Sequence, residues 1–100
     1  MSEDNQVPLP RSFIDLFIPP GRSKPTATRE HISVRYEFCE DLAAMLTEHA
    51  NNKLFELGVT EADVLERIHR GLLGDAAVVS PDEAQWVVRR LAELLEWPMP

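Results

Sequence analysis

Between Thr28 and Ala50 the apolar residues Ile32, Tyr36, Cys39, Ala43, Leu46 and Ala50 recur at steps of four and three. That spacing puts all six on one side of an α-helix. A run of this length narrows what the chain can become, because a long helix with one apolar stripe must bury it against other elements. Thr28 stands where an N-cap is needed. Ile32, Val34, Tyr36 and Phe38 also alternate with Ser33, Arg35 and Glu37, as side chains of a half-buried strand would. The helical pattern is much the longer of the two, and only Ala76 to Val79 offers such a strand a partner. Helix is therefore the preferred reading, with a short strand over 32–38 as the alternative.

The stripe loses its phase after Ala50. At about 100° per residue, an unbroken helix would place Phe55 on the polar side. Asn51-Asn52 is accordingly read as a break or bend, followed by a last turn or two over Lys53 to Leu57 and a stop at Gly58. Beyond it, Thr60-Glu61-Ala62-Asp63 opens a second helix with the face Val64, Leu65, Ile68 and Leu72, closed by Gly74. Ser80-Pro81-Asp82-Glu83 has the form of a capping box with Pro at the first helical position. The helix it starts should bury Ala84, Val87, Val88, Leu91, Leu94 and Leu95 and end at Trp97-Pro98. The connection from Gly74 to Val79 is short, so these two helices should form an antiparallel αα-hairpin.

Upstream, the segment 12–18 carries Phe13, Leu16 and Phe17 on one face, with Ser12 as a cap and Asp15 near the positive end of a short helix. One or two turns do not hold together alone in water, so this segment needs a docking surface. Pro19-Pro20 closes it, and Gly21 to Pro25 reads as a linker. The expected architecture is all-α: a long helix packed on a C-terminal αα-hairpin. Residues 1–25 form a flexible N-terminal arm with its hydrophobic docking segment, and residues 26–100 form the helical domain.

A chain of 100 residues that is 44% apolar can build one core but not two. The lone Cys39 permits no internal disulfide. The first ten residues lack the basic start and apolar stretch of a secretory leader, and no apolar run could span a bilayer. A cytoplasmic protein is expected.

Little catalytic chemistry is visible. His31, His49 and His69 lie 18 and 20 residues apart, without the close spacing of metal ligands. Cys39 falls on the buried stripe, where a small core residue is expected rather than a nucleophile. The four glycines form no phosphate-binding loop. The reading is a protein without catalytic residues, metal or cofactor.

The signals that remain concern binding. The net charge is −7, and residues 31–100 hold thirteen acids against six bases, whereas residues 11–30 carry four bases against two acids. The folded part thus has the wrong sign for direct phosphate contact. The two C-terminal helices give only a weak helix-turn-helix likeness, because the second opens with Asp82 and Glu83. On that last helix, Trp86 and Arg90 fall about 140° and 100° from Leu91 and, if the helix persists, Trp97 about 120°, away from the apolar face. Such a Trp/Arg/Trp strip calls for a partner or for cover by Phe13 and Phe17. On the long helix Glu37, Asp41 and Glu48 lie within about 40° of one another, opposite the apolar stripe.

This ridge suggests a small acidic inhibitor, adaptor or modulator that docks on a basic protein surface, such as that of a nucleic-acid-handling complex. Small phage or plasmid inhibitors are of this kind. The alternative is a small homodimeric regulator that touches nucleic acid through its basic 11–29 stretch. For the fold, Ser80→Ala should cost roughly 0.5–2 kcal/mol by removing the acceptor for an otherwise orphan N–H. An unchanged denaturation midpoint would mean that no helix starts there.

Overall fold

The computed structural model describes residues 8–74 and 77–99. The chain is all-α. It comprises a short helix α1 (Arg11–Ile14) continued by a single 3-10 turn (Asp15–Phe17), the long helix α2 (Arg29–Leu57), and the hairpin helices α3 (Glu61–Leu72) and α4 (Pro81–Leu95). No strand occurs among the described residues, so residues 32–38 are helical and the alternating pattern does not become a strand. Of the N-terminal arm expected over residues 1–25, residues 1–7 lie outside the described residues. The chain divides into two compact units, Met1–Phe38 and Cys39–Pro100.

In the first unit, α1 starts after Pro10, whose carbonyl accepts from the N–H groups of Phe13 and Ile14. Ser12 therefore lies within the helix and not at its cap. Proline at the boundary has its φ already set and needs no N–H there. Arg11 Nε donates to Asp15 Oδ1 at 2.8 Å across one turn, an exposed pair of small energetic weight. Phe13 is fully buried, and its ring lies 5.6 Å from Phe17 and 5.6 Å, edge-on, from Tyr36. Phe17 meets His31 edge-on at 5.9 Å. Thr26 N–H returns to the Phe17 carbonyl at 2.8 Å, tying the linker to the aromatic segment. Thr28 caps α2, its Oγ1 accepting from His31 N–H.

In the second unit, α2 packs against the α3–α4 hairpin. Ala50 of α2 is buried with Val64, Leu65 and Ile68 of α3 and with Val88, Leu91 and Ala92 of α4. Leu46, Leu54, Val59, Leu72, Leu95 and Trp97 close around this cluster. Cys39, Ala43 and Ala50 are fully buried, so the four-three spacing marks the inner side of α2 as expected.

The expected break at Asn51-Asn52 does not occur. Leu54, two residues beyond the pair, reaches the cluster, so continuing the helix adds buried surface while both asparagines stay in solvent. Phe55 then falls on the polar side, where it is 90% exposed. Helix α2 ends at Leu57: Gly58 still donates its N–H to the Leu54 carbonyl at 3.1 Å, and its left-handed φ of 65° then turns the chain out of the helix.

Both hairpin helices start as their caps dictate. Thr60 accepts from Asp63 N–H, and Ser80 and Glu83 form a reciprocal capping box at 3.1 and 2.9 Å. Helix α4 is buried much more widely than one apolar face: Glu83, Ala84, Trp86, Val87, Val88, Leu91 and Ala92 are all covered. The line Asp82, Gln85, Arg89 and Glu93 faces solvent throughout. Leu94, expected inside, is partly exposed near the helix end.

The last turn also corrects the expectation that the helix runs on to Trp97-Pro98. Helix α4 stops at Leu95, Glu96 adopts a left-handed φ of 59°, and Trp97 N–H returns to the Ala92 carbonyl at 2.9 Å. With Glu96 N–H on the Glu93 carbonyl, this is a Schellman turn. It folds Trp97 back onto the cluster containing Leu91 and Ala92. Glu96 occupies a conformation that costs a residue with a Cβ about 1 kcal/mol and glycine very little. Glu96→Gly should therefore stabilise the protein by about 0.5–1 kcal/mol in urea denaturation. A lower midpoint would show that the glutamate side chain contributes more than its backbone strain costs.

Candidate functional site

Among the described residues, no group of three or more His, Cys, Asp or Glu is placed to hold a metal ion. Cys39 is fully buried on the inner face of α2. His31 packs against Phe17, while His49 and His69 line two different clefts of the second unit. The His69 cleft, about 270 Å³ between α3 and α4, has Leu65, Val88 and Met99 in its wall and Asp63 and Glu66 at its rim.

The Trp/Arg/Trp strip is not an exposed face. Trp86 is 8% exposed, and Trp97 is half-buried by the turn at Glu96. Arg90 is engaged across the second unit: its Nε donates to Glu40 Oε1 at 2.9 Å, and its Nη2 donates to Glu40 Oε2 at 3.0 Å. Nη1 donates to Glu93 Oε1 at 3.0 Å. This fork-to-fork geometry is the strongest form of a guanidinium–carboxylate pair. Hydrogen bonding to Glu40, then to Glu93, raises the Arg90 pKa against a smaller opposing effect of desolvation. The guanidinium is thus a clamp between α2 and α4. Glu40 had no special standing in the sequence, since nothing local separates it from Glu37 or Asp41.

Phe13 and Phe17 are likewise taken up in packing, within the first unit. The acidic residues behave differently. Glu37, Asp41 and Glu48 are all exposed. In the second unit, Asp41 and Glu48 share the outer side of α2 with Met45 and Phe55, which are 71% and 90% exposed. Met45 lies about 40° from Asp41 and about 60° from Glu48 around the helix. In the first unit, the same helix exposes Val34 beside Glu37, and Phe38 stands half in solvent with the Arg35 guanidinium 4.9 Å above its ring.

The outer side of α2 in the second unit therefore presents apolar and acidic groups together, without a Lys or Arg among Asp41, Met45, Glu48, Asn52 and Phe55. Sequence reasoning missed Met45, although its angular position was available from the same helical arithmetic. Phe55 was read as the sign of a break.

Separating the clamp from the surface requires a direct measurement. In a double-mutant cycle, Glu40→Gln and Arg90→Met should each destabilise the fold. Their coupling should be about 1 kcal/mol, discounted because both side chains remain about one-third exposed. Zero coupling would reduce the pair to a surface contact.

No family model, curated protein or solved structure matches this chain.

Proposed function

We propose that this protein is a non-catalytic binding module that docks through the outer side of α2 onto a protein with a basic surface. The observation that carries the reading is the pairing of Phe55, 90% exposed, and Met45 with the solvated carboxylates Asp41 and Glu48 on one helix. An isolated exposed apolar residue needs no explanation. Two large ones on a single face interleaved with acids have the make-up of an interface in which apolar anchors are rimmed by charge. Methionine suits such a face because its unbranched, polarizable side chain adapts to what it meets.

The electrostatics choose the partner. A second copy presenting the same face would set Asp41 and Glu48 against like charges, which is costly, whereas Lys and Arg on another protein would be attracted. Nucleic acid would be repelled by this face for the same reason. Proteins that handle nucleic acid carry suitable basic surfaces, and an inhibitor or adaptor of such a protein would need these features. Within the described residues no helix is long and apolar enough to cross a membrane.

The charged and apolar parts should separate kinetically. On a partner isolated by affinity capture, surface plasmon resonance should show slower association for the variant Glu37→Lys, Asp41→Lys, Glu48→Lys. The wild-type on-rate should fall as salt shortens the Debye length from about 10 Å at 0.1 M to about 3 Å at 1 M. Phe55→Ser and Met45→Ser should instead raise the off-rate, by about tenfold for a loss of about 1.4 kcal/mol each. All of these side chains are exposed, so the circular dichroism should not change. Unaltered association after charge reversal, together with an unaltered off-rate after Phe55→Ser, would leave this face a solvated surface.

A further inference from the structure

The second unit contains a cleft of about 300 Å³ between the C-terminal third of α2 and the middle of α3, lined by His49, Lys53, Leu57, Val64, Arg67 and Ile68. Its apolar wall is aliphatic. Every polar side chain in the lining carries nitrogen only, and no carboxylate, amide or hydroxyl side chain contributes. In a chain with seventeen acidic and ten basic side chains, this is a local inversion of sign.

The cations are also largely unspent. Arg67 has no ion-pair or hydrogen-bond partner among the described residues. Lys53 has Glu56 at 3.7 Å, but both side chains are well exposed, and a pair of that length in solvent contributes little. His49 and Lys53 are one turn apart on the same side of α2, and Val64, Arg67 and Ile68 share one side of α3. The carbonyl end of α2 near Leu57 opposes an anion with roughly half an elementary charge. Lys53 and Arg67 set two full positive charges against it.

We propose that this cleft binds a small amphipathic organic anion, a short aliphatic chain ending in one carboxylate. The chain lies on Leu57, Val64 and Ile68. The carboxylate accepts from Lys53 and Arg67, with the His49 ring as a further donor. A volume near 300 Å³ is at the small end for ligand pockets, which selects a short chain over a long one. The site is separate from the outer-face residues Met45 and Phe55 and does not depend on their role.

The test uses the full-length protein and three probes: octanoate, octanol as the neutral chain, and inorganic phosphate as an anion without a chain. Titrations followed by backbone amide shifts should show saturable octanoate binding centred on residues 49–57 and 64–68. Octanol and phosphate should each bind at least about tenfold more weakly, since losing either part removes 1.4 kcal/mol or more. Arg67→Glu, and separately the milder Arg67→Gln, should weaken octanoate binding by a similar factor. Arg89→Glu, which changes an exposed cation outside the cleft, should leave it unchanged. The proposal is overturned if octanoate does not saturate or the shifts centre elsewhere. It is equally overturned if octanol binds as well as octanoate, or if Arg89→Glu weakens binding as much as Arg67→Glu.

Discussion

The apolar contact that joins Ala50 of α2 to Val64, Leu65 and Ile68 of α3 and to Val88, Leu91 and Ala92 of α4 underlies the rest of the second unit. Helices α3 and α4, of 12 and 15 residues, are too short to be secure alone in water, and each gains most of its stability from the face it buries. A fully buried Leu or Val contributes about 1.5–3 kcal/mol relative to exposure, so the residues of this cluster outweigh any single surface pair in the molecule. The small residues Ala43 and Ala50 occupy the buried line of α2, where a larger side chain would have to displace its neighbours.

Burial at that contact determines which polar groups are committed to structure. The Arg90 guanidinium is held by Glu40 and Glu93 because α4 is covered over most of its circumference, leaving partly buried charges that must pair. Glu83 is buried too, and its carboxylate accepts from the Ser80 N–H that it caps. With these groups taken up, Asp41 and Glu48 remain as carboxylates facing solvent beside Met45 and Phe55. Packing has also claimed the tryptophans, Trp86 almost wholly and Trp97 in part.

The two helix ends illustrate how local and non-local causes divide. Gly58 ends α2 in a left-handed conformation that glycine adopts without strain, and the stop could be read from the residue alone. Glu96 adopts the same conformation with a Cβ in place. Nothing in Glu96 itself announces this. What offsets the strain is the return of Trp97 to the core and the two hydrogen bonds of the turn. Angular arithmetic on an unbroken helix therefore put Trp97 outside, when the chain had already turned.

By itself, the sequence determined the helical class, the caps at Thr28, Thr60 and Ser80, and the inner stripe of α2 from Ile32 to Ala50, because each depends on residues within a turn or two of one another. The N-terminal segment's need for a docking surface was legible in the same way, from Phe13 and Phe17 on too short a helix. Tertiary structure alone decided that α2 runs through Asn51-Asn52, that Trp86 is inside, that Glu40 differs from its neighbours and that Phe55 stands in water. The physical reason is common to all four. Periodicity reports which side of a helix is apolar, but how many sides are covered depends on segments distant in the chain. Leu54 reaching the hairpin cluster kept α2 straight in phase, and Phe55 was carried to the surface as the consequence.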